Sequence, residues 1–103
     1  MEDFDFIIDK SFNIENVYEN GVIFMNTYIE LTNADDVNEF VSAASKCPYE
    51  IDLECGRVYL DGKSLLGVMS MGMNRKLHVI VDHESASRDM AFKSVLKKFK
   101  AAS

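Results

Sequence analysis

The segment Asp61-Gly62-Lys63-Ser64-Leu65-Leu66-Gly67-Val68-Met69-Ser70-Met71-Gly72 decides how the chain is organised. Asp61-Gly62 is a turn pair. Ser64 then stands where a helix N-cap belongs, its hydroxyl placed to accept from a backbone N–H two or three residues on. The helix it opens is expected from Leu65 to about Ser70, stopping near Gly72. On the N-terminal side, Tyr49, Ile51 and Leu53 alternate with Glu50, Asp52 and Glu54. Cys55-Gly56 turns into Arg57-Val58-Tyr59-Leu60, so two half-buried strands form a hairpin. On the C-terminal side, Leu77-His78-Val79-Ile80-Val81 is a β-branched strand. Ser85 or Ser87 is expected to cap a last helix, with Ala91, Phe92, Val95, Leu96 and Phe99 inward and the lysines outward.

Further upstream, Thr27, Ile29 and Leu31 share one face of an extended segment, with Tyr28 and Glu30 on the other. Thr32 or Asn33 caps the next helix, and Asp35 and Asp36 fall in its first turn, where the helix dipole favours negative charge. Val37, Phe40, Val41 and Ala44 follow as one apolar stripe, and Pro48 ends the helix. The order is therefore βαββαβα. Strands this far apart in sequence, with amphipathic helices between them, imply an α+β open-faced sandwich: a four-stranded, mainly antiparallel sheet with helices on one face.

The chain has 103 residues, 48% apolar and 27% charged with a single proline, which fits one globular domain and excludes a disordered or collagen-like chain. No apolar run reaches the roughly 18 residues of a membrane span, and Met1-Glu2-Asp3-Phe4-Asp5 lacks the basic opening of a signal peptide. A cytoplasmic protein without membrane contact is the expectation. Cys47 and Cys55 would remain thiols in a reducing compartment.

The net charge of −6 is unevenly spread. Residues 1–24 hold Glu2, Asp3, Asp5, Asp9, Glu15 and Glu19 against Lys10 alone, whereas residues 85–103 hold Arg88, Lys93, Lys97, Lys98 and Lys100 against Asp89. This divides the chain into an acidic extension, 1–24, and a nearly neutral domain, 25–103. The extension reads as an arm, an extra strand or a disordered segment, and as an arm it could lie against the basic tail of its own or a second copy. Met25 is also an alternative start, because Gly21-Val22 is encodable by a sequence resembling a ribosome-binding site just ahead of it. Nucleic-acid binding by the basic tail is not expected, since its aromatics, Phe92 and Phe99, point inward.

The element order together with Lys63-Ser64-Leu65-Leu66-Gly67-Val68-Met69 resembles the HPr family, the histidine-containing phosphocarriers of the bacterial sugar phosphotransferase system. The resemblance runs from about Val37 to Val95 and includes Ala44-Ser45-Lys46, Asp52-Leu53-Glu54 and Ala91. It implies the HPr-like sandwich, and it makes Ser64 the counterpart of the regulatory phosphoserine of Gram-positive members. It also exposes a departure. The family carries its phosphohistidine in a His-Ala-Arg-Pro segment at the start of the first helix, and this chain has Leu31-Thr32-Asn33-Ala34-Asp35-Asp36-Val37 there. Asn33 cannot form a phosphoramidate, and Asp35 with Asp36 would repel an incoming dianion. The resemblance thus implies a member without phosphohistidine transfer at this position.

Ser64 is the phosphorylation candidate, with Lys63 as a neighbour for the phosphate; its simpler role is a helix cap. Leu65, Leu66, Met69 and Met71 are more apolar than a short surface helix needs, and with Lys63 they form the candidate protein-docking surface, although Leu65, Val68 and Met69 also suit the core. His78 is expected to face outward and His83 to lie in a turn; two isolated histidines make no metal site, and neither receives a role. Cys47 and Cys55 lack CxxC spacing and are expected to be structural thiols. No cofactor, metal or catalytic pair is indicated. Two readings remain. One is a regulatory module like the catabolite-repression HPr that also lacks the histidine, with HPr kinase or a transcriptional regulator as partner. The other is an HPr fold used for binding or oligomerisation, as monomer or homodimer, without phosphoryl chemistry.

Overall fold

The computed structural model describes residues 16–19, 22–25 and 27–101. Two short strands, β1 (Asn16–Glu19) and β2 (Val22–Met25), pair antiparallel as a separate ribbon. The rest of the acidic extension, and with it the arm reading, lies outside the described residues. β3 (Thr27–Glu30), α1 (Ala34–Ser45), β4 (Asp52–Cys55), β5 (Val58–Asp61), α2 (Leu65–Met71) and β6 (Lys76–Ile80) follow. Two helices close the chain, α3 (His83–Ser87) and α4 (Met90–Lys98).

The four-stranded sheet has the order β3-β6-β4-β5 with every neighbouring pair antiparallel. Period-two alternation sorts its faces. Thr27, Ile29, Leu53, Leu60, Leu77 and Val79 are buried on one side, whereas Tyr28, Glu30, Glu54, Tyr59, Asp61, Lys76 and His78 remain half-buried or exposed on the other. The helices cover the buried side. Val37, Phe40, Val41 and Ala44 of α1, Val68 of α2 and Phe92 with Leu96 of α4 complete a single core. Phe40 and Phe92 meet at 6.0 Å between ring centroids, joining the first and last helices. The fold is the α+β open-faced sandwich expected from the sequence, with four antiparallel strands and the helices on one face.

Both edges of the sheet are not alike. The segment after α4 runs beside β3, with Glu30 N donating to Phe99 O at 2.9 Å and Ala101 N to Tyr28 O at 2.8 Å. β5, at the opposite end, has no strand on its outer side among the described residues.

Gly62 is fixed by contact. Its N–H donates to Ile51 O at 2.7 Å, and a Cβ at this position would lie 2.8 Å from that oxygen and 2.9 Å from Ile51 Cγ2. Only glycine admits the close approach that joins the β5–α2 turn to the strand before it.

Four local expectations need correction. The hairpin's first strand begins at Asp52 instead of Tyr49, because the Tyr49 ring turns to the helix layer, edge-on to Phe92 at 6.3 Å, with its hydroxyl on Asp89. The last helix is two helices: Ser85 donates its hydroxyl to Asp82 Oδ2 and Ser87 to Glu84 O, so neither caps α4, and Asp89 does. Ala91 is exposed, and His83 is buried at 7% exposure instead of lying in an open turn.

Candidate functional site

The N-termini of α1 and α2 carry the residues singled out from the sequence, and the two helices pack against one another. At α1, Asn33 is the N-cap in extended conformation, and its Oδ1 accepts from Asp36 N at 2.8 Å. Asp36 reaches back: its Oδ2 accepts from Thr32 N at 3.0 Å and from the Thr32 hydroxyl at 2.9 Å. This is a reciprocal arrangement of the capping-box type, displaced by one residue: of the two candidates Asn33 is the cap, and Thr32 is instead a donor to Asp36. Asp35 points into solvent. The first turn thus presents carboxylates and an amide, with the amide oxygen already engaged.

At α2, Ser64 is half-buried, extended at φ −96°, and its hydroxyl accepts from Gly67 N at 3.2 Å. Lys63 does not extend over the serine. Its ammonium donates to the carbonyl of Cys47 at 2.7 Å, tying the α2 turn to the end of α1, while its backbone N–H donates to Asp61 Oδ1 at 2.9 Å. Leu65, Leu66 and Met71 are exposed, Leu66 at 79%. Met69 is half-buried and packs on the core, whereas Leu65, which also suited the core from sequence, is exposed. α2 therefore buries one side chain fully, Val68, and turns three large apolar ones outward.

Two clusters were not read from the sequence. Asp89 caps α4 through Oδ1, which accepts from Phe92 N at 3.0 Å. Its Oδ2 accepts the Tyr49 hydroxyl at 3.0 Å and lies 3.5 Å from Cys47 Sγ. The backbone N–H of Phe92, together with the Tyr49 and Cys47 donors, holds the Asp89 carboxyl below the usual carboxylate range despite its burial. Burial pushes the Cys47 thiol up, and the nearby Asp89 charge pushes it the same way, so Cys47 is a neutral donor and not a thiolate nucleophile. Burial likewise raises the Tyr49 phenol far above its ordinary value.

The second cluster crosses the open face of the sheet. Tyr28, His78, Glu54 and Tyr59 lie in register on β3, β6, β4 and β5. The Tyr28 and His78 rings stack at 4.7 Å, His78 Nδ1 sits 3.0 Å from Glu54 Oε1, and the Tyr59 hydroxyl donates to Glu54 Oε2 at 3.3 Å. His78 does face outward as alternation indicated, but with partners on both flanks. Cys55 also has a basic neighbour, with Arg75 Nη1 3.5 Å from its sulfur. The signal for the row was available only as strand register, which single-strand patterns do not carry.

Among the described residues, no group of three His, Cys, Asp or Glu side chains is arranged to hold a metal ion, and no helix is long and apolar enough to cross a membrane. The family model described as PTS HPr component phosphorylation site matches residues 33–101, from the α1 cap to the segment that pairs with β3. No curated protein and no solved structure matches the chain.

Proposed function

The chain belongs to the HPr family, and from that premise we propose that it is a cytoplasmic, protein-binding regulatory module of the bacterial phosphotransferase system, not a phosphohistidine carrier. The observation that carries this reading is at Asn33. Where the family keeps its phosphoacceptor segment, this chain has an amide already accepting from Asp36 N and a carboxylate bound to Thr32. No ring nitrogen is there to take a phosphoryl group, and the local charge opposes a dianion.

Docking is assigned to the exposed side chains of α2. Leu65, Leu66 and Met71 place flexible apolar surface beside Ser64, which suits an adaptable protein contact. Ser64 is the proposed site of modification. Phosphate there would add close to two negative charges at the rim of that surface and change its partner preference without entering the core. The family resemblance makes HPr kinase the enzyme to supply the phosphate and a transcriptional regulator the class of partner to read it.

The test uses two incubations followed by intact-mass measurement. With HPr kinase and ATP, the reading expects a gain of one phosphoryl group that disappears in Ser64→Ala. Absence of any gain would leave an HPr fold used for binding without phosphoryl chemistry. With phosphoenolpyruvate and Enzyme I, no acid-labile phosphate should form; its appearance would overturn the loss of carrier activity.

A further inference from the structure

The turn that carries Ser64 is held to the chain after α1 at two points. Gly62 N donates to Ile51 O at 2.7 Å, a main-chain bond locked by the close approach of Gly62 to Ile51. Lys63 Nζ donates to Cys47 O, also at 2.7 Å. The first tie is backbone on both sides and cannot move without unfolding the turn. The second ends on an ammonium at the tip of a flexible four-carbon stem, so it can be exchanged for another acceptor.

What the second tie holds gives it reach. Cys47 follows the C-cap Lys46, with its N–H donating to Ala44 O at 3.0 Å, and the next residue, Pro48, has no N–H to offer. α1 has no basic residue in its last turn, so Lys63 brings a cation to that end from 16 positions beyond Cys47. The Cys47 thiol in turn lies 3.5 Å from Asp89 Oδ2, which also accepts from the Tyr49 hydroxyl, and Asp89 caps α4. Lys63 thus joins the start of α2 to the end of α1 and, through Cys47, to the cap of α4.

The charge around Ser64 makes that ammonium a contested donor. From Val58 to Asn74, Lys63 is the only basic residue and Asp61 the only acidic one. Asp61 accepts from Lys63 N on Oδ1 and from Ser64 N on its carbonyl, so the turn is closed around a carboxylate. A phosphate on Ser64 would add close to two negative charges and three acceptor oxygens beside it. Adjacent Cα atoms are about 3.8 Å apart, within the sweep of a lysine stem. An ammonium–phosphate bond, charged on both sides, is stronger than one to a neutral carbonyl.

Resting on the reading that Ser64 is the modified residue, we propose that Lys63 is the switch through which a phosphate there acts beyond its own turn. The ammonium leaves the Cys47 carbonyl for the phosphate, the Gly62–Ile51 bond stays, and the end of α1 loses its side-chain tie to α2. The modification then alters two places at once, the rim of the α2 surface and the α1 end beside the Asp89 cap.

Phosphoserine encoded at position 64 of the full chain tests the switch without a kinase, so a kinase that leaves Ser64 unmodified rejects the modification reading and not this one. Amide hydrogen exchange should be roughly threefold or more faster at Lys46 and Cys47 with the phosphate than without it, and unchanged at Gly62. The second ionisation of the phosphate, ordinarily at about pH 6, should lie about half a unit lower in the wild type than in Lys63→Met. Lys63→Met without phosphate should already show the faster exchange and gain nothing from phosphoserine, whereas Lys63→Arg should keep the response. Exchange at Cys47 indifferent to the phosphate, or a phosphate that titrates alike with and without Lys63, overturns the proposal. Faster exchange at Gly62 on phosphorylation would also overturn it, because the whole turn would then be loosening and not one tie.

Discussion

Asn33 and Asp36 cap one another's turn: Asn33 Oδ1 accepts from Asp36 N at 2.8 Å, and the Asp36 carboxylate folds back onto Thr32. The arrangement accounts for a helix start that needs no ligand. It also explains how the first turn tolerates two adjacent aspartates, since the dipole favours both and Asp36 is hydrogen-bonded. Asn33→Ala removes the acceptor for Asp36 N and should cost about 1 kcal/mol in urea denaturation, as N-cap deletions generally do. Restoring a histidine alone, Asn33→His, should not restore phosphotransfer from Enzyme I, because Asp35 and Asp36 still face the site; phosphate incorporation read by intact mass checks this.

Ser64 makes the equivalent contact at α2. Ser64→Ala should lose about 1 kcal/mol through the orphaned Gly67 N–H, whereas Ser64→Asp retains an N-cap acceptor and should stay within about 0.5 kcal/mol of wild type. The pair separates stability from surface charge. If the aspartate variant loses binding to a partner while melting normally, the effect lies at the surface.

The Gly62 approach to Ile51 predicts a larger loss from a smaller change. A methyl at 62 meets a backbone oxygen at 2.8 Å, which cannot swing aside. Gly62→Ala should therefore destabilise the fold by about 1–3 kcal/mol, as overpacking does. Chemical denaturation would show the midpoint falling with the slope unchanged.

Local sequence signals found what local physics controls. The α1 stripe, the Asn33 and Ser64 caps and the turn at Gly56 each depend on residues within a few positions, and each lies where spacing put it. The errors cluster where a distant residue decides. Arg88-Asp89 breaks the last helix because Asp89 finds Tyr49 and Cys47 some 40 positions upstream, and a serine-capped continuous helix offers those groups no acceptor. The same contact draws Tyr49 out of the hairpin. Adjacency in sequence places Lys63 beside Ser64, whereas its ammonium points to the Cys47 carbonyl, a choice set by how α1 ends. The Tyr28–His78–Glu54–Tyr59 row needed the strand order, which neither composition nor alternation contains.

His83 gives the fold a pH dependence of known sign. Burial is the main cause of its lowered pKa, with Lys93 acting the same way and Asp82 and Glu84 opposing. Below about pH 6.5 the unfolded chain binds a proton that the folded chain resists, so stability is complete above that value and falls as pH drops toward the folded pKa. Calorimetry at pH 7.5 and 5.5 should show a lower Tm at the acid value. His83→Gln should flatten that interval, whatever it does to the absolute Tm.

Asp89 predicts a dependence of the same sign at lower pH, because here too the unfolded chain binds the proton more readily than the folded one. Its folded pKa lies below the ordinary value, chiefly through the Phe92 N–H, so its contribution is present above about pH 4 and is lost as pH falls through the folded pKa. Asp89→Ala removes the α4 cap and strands the Tyr49 hydroxyl in a half-buried site, which together should cost about 2–3 kcal/mol at neutral pH. Asp89→Asn keeps an acceptor and a cap and should cost less. The decisive comparison is between wild type and Asp89→Asn across pH 7 to 3. The stability gap should close as the wild-type carboxylate takes up its proton, and a gap constant over that range would mean that the charge of Asp89 contributes nothing beyond its hydrogen bonds.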